Sequence, residues 1–209
     1  MKHIKSLHRE LFFFVREHKI LLCCTVLLLI FLSFSFPVPN VHTVENEQRV
    51  VSIADYFLLL KEPLFFYLAN IFVSVFLLFR IIKNNFKINF IVRQKNIGTL
   101  YAKHCCAAGY LAFGVSLVQT IVTLGVAALH TPVLINFSQT NSAFYFYTDA
   151  QISSVSFFGV LALTFLYGFL CVFLFLLLYI ALRWLFGRDF ICFIIILLIL
   201  SLIHISEPT

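Results

Sequence analysis

Apart from Arg49 and Lys61, every Lys and Arg in the chain falls in one of three short polar stretches, 1–19, 80–104 and 183–188, separated by long apolar runs. A soluble domain spreads charge over its whole surface, so this segregation constrains the architecture more than any motif does. Residues 1–19 carry five basic and two acidic side chains. The next polar stretch, 37–62, sets Arg49 and Lys61 against Glu45, Glu47, Asp55 and Glu62 and is net acidic. Residues 80–104 then hold Arg80, Lys83, Lys87, Arg93, Lys95 and Lys103 with no acid, whereas 130–155 contain only Asp149. Arg183 and Arg188 flank a short turn that ends at Asp189. Because basic loops stay on the cytoplasmic side, the stretches alternate inside and outside from a cytoplasmic N-terminus.

Composition agrees with this class. The chain is 62% hydrophobic and 11% charged, with 27 Phe among 209 residues, and its mean hydropathy is +1.01. These values lie outside the range of a water-soluble domain. A helix needs about 20 apolar residues to cross the hydrocarbon core. The sequence predicts an all-α fold: a polytopic membrane helix bundle with spans near 20–36, 63–82, 105–129, 156–182 and 190–204, forming one membrane domain over 20–204. The fifth span is expected to be truncated. Ahead of the first, Ile4, Leu7, Leu11, Phe14 and Val15 recur at helical spacing opposite Lys5, Arg9 and Arg16, which suits a cytoplasmic interfacial helix over 1–19; an extended first span is the competing reading. The 34–37 region offers no small-residue cleavage site, so the N-terminus reads as a retained anchor.

The two outward stretches and the tail differ in character. Residues 50–60 read either as a short interfacial helix with Tyr56 and Phe57 at headgroup depth or as the early start of the second span. Between 131 and 154 the chain is polar and aromatic, and its aromatics are expected to mark the membrane boundary. Residues 201–209, SLIHISEPT, resemble a translated sequencing-adapter peptide, and we expect them to be a non-native tail with the natural protein diverging near Leu200.

The chemistry is notable for its absences. Ionisable side chains are rare inside spans because they are expensive there, and the four complete spans contain no acid or base of the kind a membrane enzyme needs. Neither HExxH nor Gly-x-Ser-x-Gly occurs, nor does a phosphate-binding GxxxxGK[ST] loop. No enzyme activity, cofactor or metal site is therefore expected. His104 and His130 lie at opposite ends of the third span and read as interface residues. Cys23, Cys24, Cys105, Cys106, Cys171 and Cys192 lack metal or redox spacing and read as small packing residues, with acylation of Cys105 or Cys106 as the alternative.

Two groups of residues stand out as functional candidates. Ser116, Gln119, Thr120 and Thr123 share one face near the centre of the third span. Together with Gly109, Gly114 and Gly125, that face either packs against another helix or lines a translocation route. The second group is the segment 84–103, which interleaves basic charge with Phe86, Ile88, Phe90, Ile97 and Tyr101. It is too apolar for a free loop and too charged for a span. As a cytoplasmic amphipathic helix it would press its apolar residues into a partner protein or into anionic lipid. No nucleic-acid partner is expected.

A basic interfacial helix, two spans with an outer loop between them, and a cytoplasmic segment carrying Phe90, Arg93, Lys95, Gly98, Tyr101 and Lys103 before a third span resemble the membrane permease of type-two ABC exporters. The closest likeness is to the small, Phe/Leu-rich permeases of Gram-positive bacteria linked to peptide-antibiotic export or immunity. The resemblance covers the chain to about residue 200 and rests on topology and a loose Arg-x-Lys pattern; the outer stretches here are longer than in many members. It implies a sixth span, a multi-pass location in the bacterial cytoplasmic membrane, and a second permease chain as homo- or heterodimer. It also implies a separate cytoplasmic ABC ATPase contacted by Arg93, Gln94, Lys95, Asn96 and Tyr101, with Phe86 and Phe90 seating the segment, and a peptide-like or amphipathic substrate. The alternative is a non-transporting membrane regulator or immunity protein.

Overall fold

The computed structural model describes residues 19, 23, 26–27, 51–59, 70–83 and 96–206. The first predicted span, the N-terminal amphipathic stretch and positions 207–209 of the tail lie almost wholly outside these residues. The described chain forms α1 (Ile53–Leu59), α2 (Phe72–Ile82), α3 (Ile97–His130), α4 (Ala143–Thr148), α5 (Phe157–Phe186) and α6 (Asp189–Ser206), with no β-strand among the described residues. The all-α expectation holds.

Local sequence sets the helix ends. Asn96 starts α3 by accepting a hydrogen bond from the Gly98 amide at 2.8 Å, and Ser156 starts α5 by accepting from the Gly159 amide at 3.1 Å. Gly187 ends α5 at φ 67°, a left-handed conformation that favours glycine, and its N–H returns to the Arg183 carbonyl at 3.0 Å. With 34 residues, α3 is about 51 Å long, well beyond the roughly 30 Å hydrocarbon core. Residues 97–103, expected to close a separate cytoplasmic helix, are instead the first turns of α3. The Asn96 cap and the absence of proline before His130 let these turns run on into the apolar part of the helix.

The main core runs along the bundle axis. Ile71, Val75, Leu78 and Ile82 form one stripe, Val172, Leu176 and Tyr179 a second, and Cys192, Ile196 and Leu200 a third. Each keeps the three- or four-residue spacing that places side chains on one helix face. Ala107, Ala108 and Ala112 of α3 meet these stripes, and their small size lets the helices approach closely. Gly109 faces the Phe173 ring, 3.6 Å from where a Cβ would stand, while no described residue comes within 4 Å of a Cβ placed on Gly114 or Gly125. Close packing against a described helix is therefore seen at Gly109.

Among the described residues two helices, α3 and α5, are long and apolar enough to cross a membrane. Only 28% and 22% of their most apolar windows are buried within the described structure. The core helix of a soluble protein would be mostly covered, whereas Ile121, Leu163 and Leu174 here are at least 60% exposed. Such an apolar exterior suits hydrocarbon, as in a membrane protein. α2 and residues Asp189–Leu202 of α6 are shorter apolar helices.

The end of the bundle that holds α1 and the loop after α3 is tightly packed. Of α1, Tyr56 and Phe57 are 5% and 2% exposed, packed against α3 and α5. Its start is fixed by a reciprocal cap in which the Ser52 amide and hydroxyl donate to Asp55 Oδ2 at 2.7 and 2.8 Å and the Asp55 amide donates back to Ser52 Oγ at 3.3 Å. The Ile53 and Ala54 amides then donate to the Val133 and Leu134 carbonyls at 2.8 and 3.1 Å, tying α1 to the loop after α3. In that loop the aromatics pack inward as well: Phe137 is buried and stacks on Phe144 with ring centroids 4.2 Å apart.

Candidate functional site

Between α3 and α5, beside the residues just ahead of α2, lies a pocket that α1 also reaches. Ser116, Gln119, Thr120 and Thr123 of α3 line it, joined by Asn70 just before α2 and by Thr164 and Gly168 of α5. Phe57, Val115, Phe165, Tyr167 and Val172 complete its walls. The centre of a water-sized molecule can reach about 30 Å³ of this space, about twice what a single water needs.

Hydrogen bonding divides the lining into two sets. Thr120 and Thr123 donate their hydroxyls to the carbonyls one turn back, Ser116 at 2.8 Å and Gln119 at 2.9 Å, and so are satisfied by their own helix. The second set comprises Asn70 Nδ2 and Oδ1, Ser116 Oγ, Gln119 Oε1 and Thr164 Oγ1, which are buried with no hydrogen-bond partner among the described residues. Asn70 sits in a π-helical turn, an irregularity often found at functional sites. Its carbonyl accepts the Ser74 hydroxyl at 2.5 Å while its side-chain amide stays unpaired. Each unmatched buried polar group costs about 1–3 kcal/mol, so a dry, empty pocket of this kind is an unfavourable arrangement.

All four sequence-derived pocket candidates therefore lie together. Asn70 and Thr164 were missed as site residues, because a single polar residue within an apolar run gives no periodic signal. Their depth was the available signal, since both lie well inside predicted spans, where polar side chains are unusual.

Of the cytoplasmic segment, Asn96 and Tyr101 are described; Phe86, Phe90, Arg93, Gln94 and Lys95 lie outside the described residues. Tyr101 is 41% exposed and meets Trp184 edge-on at 6.1 Å. One turn further along α3, His104 also contacts Trp184 at 6.1 Å and is 1% exposed. At the opposite end of α3, His130 stacks on Tyr56 at 5.9 Å. Burial raises the Asp55 carboxyl above its usual range, against the opposing hydrogen bonds from Ser52.

The turn between α5 and α6 carries an ion pair joined by a tyrosine hydroxyl. Arg183 Nε lies 2.8 Å from Asp189 Oδ1, and the Tyr179 hydroxyl donates to the same oxygen at 2.9 Å. The arginine closes the negative end of α5 and the aspartate the positive end of α6. Among the described residues no group of three His, Cys, Asp or Glu could hold a metal ion. No protein-family model, curated protein or solved structure matches the chain.

Proposed function

We propose that this chain is the membrane-spanning permease subunit of an ATP-driven exporter of the bacterial cytoplasmic membrane, coupling a separate ATPase to movement of a peptide-like or amphipathic substrate. The observation that carries the reading is the placement of the pocket on α3. One uninterrupted helix joins Asn96 and Tyr101 at its start to Gln119 and Thr123 in the pocket. Tyr101 and Gln119 are separated by about 27 Å along the axis, at 1.5 Å per residue.

A rigid element of that length transmits a push or tilt at the cytoplasmic end to the pocket without an intervening hinge. The basic segment 84–95 enters α3 directly at Asn96, so a partner that grips Arg93 and Lys95 would move the pocket wall. ATP chemistry belongs to the partner, since the chain carries no phosphate-binding loop. Two such chains would enclose the route.

The test is to look for a phosphate-loop ATPase encoded beside this gene and to measure its co-purification with the chain. Arg93→Glu is expected to abolish it while leaving membrane insertion intact, because the substitution reverses charge at the contact. Retained co-purification of the variant, or no ATPase bound by the unaltered chain, would favour a non-transporting regulator or immunity protein.

A further inference from the structure

We propose that the mid-depth pocket is a binding site for an uncharged ligand group carrying a hydrogen-bond donor and an acceptor side by side, of which a carboxamide is the simplest. Asn70 supplies the strongest argument. Its side chain is 1% exposed, and both its amide nitrogen and its oxygen lack partners among the described residues. Exchanging those two atoms leaves the conclusion unchanged: the site wants one acceptor and one donor close together. Gln119 Oε1 on α3 and Thr164 Oγ1 on α5 extend the unmet demand to the other walls.

The walls also define what is excluded. Among the described residues no Asp, Glu, Lys, Arg or His lines the pocket, so a charged ligand would meet no counter-charge from them, and burying an unpaired charge is far costlier than burying an amide. Phe57, Phe165 and Val172 present apolar surface next to the unpaired groups. An aliphatic substituent beside the carboxamide would cover that surface and replace whatever water fills the site.

The inference rests on the pocket being part of a substrate route, yet its test needs neither ATPase nor nucleotide, so loss of the ATPase partner and loss of ligand are separate results. The full chain in phosphatidylcholine nanodiscs is titrated with N-acetyl-leucinamide, and binding is read as a rise in melting temperature. A saturable rise is expected, with N-acetyl-leucine carboxylate binding at least about tenfold more weakly because its charge is unpaired in the site. Asn70→Leu is expected to weaken the amide at least about tenfold. The milder Thr164→Val is expected to weaken it by a smaller factor, and it keeps the test open should the larger change fail to fold. No stabilisation by the amide, equal affinity for amide and carboxylate, undiminished binding in both variants, or stabilisation by sodium chloride alone would each overturn the proposal.

Discussion

The hairpin between α5 and α6 and the pocket at mid-depth handle buried polar groups in opposite ways. At the hairpin, Arg183 Nε and the Tyr179 hydroxyl both meet Asp189 Oδ1. In the pocket, Asn70, Gln119, Ser116 and Thr164 converge and leave atoms with no hydrogen-bond partner among the described residues. Satisfied networks rigidify a fold, and their loss is costly. Unsatisfied ones tax it unless a further molecule completes them. The contrast separates a lock from a receptacle within a single bundle.

Breaking the lock should have the largest effect. Asp189→Ala leaves the Arg183 guanidinium buried without its counter-charge and should lower stability by about 3–5 kcal/mol, read from denaturant or thermal unfolding in nanodiscs.

The pocket should respond in the opposite sense. Asn70→Leu removes an unmatched amide and should leave the ligand-free protein unchanged or more stable by about 1–3 kcal/mol. A loss as large as that of Asp189→Ala would erase the distinction between the two regions. The smallest effect belongs to the outer cap, where Ser52→Ala should cost about 1 kcal/mol and loosen α1 without altering the hairpin.

Long apolar runs bounded by charge made the apolar parts of α3, α5 and α6 legible, because a span that ends at Arg183 or begins after Lys103 is punctuated in the sequence itself; the extra turns of α3 from Ile97 were not. The polar face at Ser116, Gln119, Thr120 and Thr123 was legible for a related reason: its spacing is that of one helix face. Convergence between helices was not. Nothing in the runs around Asn70 and Thr164 says that they meet the α3 face, since that depends on how three helices cross. α1 was obscured by its neighbours, as Lys61 and Glu62 made the stretch look wet although residues 52–57 are buried. Arg183 and Asp189 were readable as turn charges, but their pairing requires the left-handed turn at Gly187.

The most direct test of a receptacle held on a single helix is an experimental density map of the full chain in nanodiscs, at a resolution that shows ordered waters and small molecules. The expected result is non-protein density between Asn70 and Gln119, bonded to both, with α3 unbroken from Ile97 to His130. A pocket closed by protein side chains that satisfy Asn70, or a break in α3 between Tyr101 and Ser116, would contradict it.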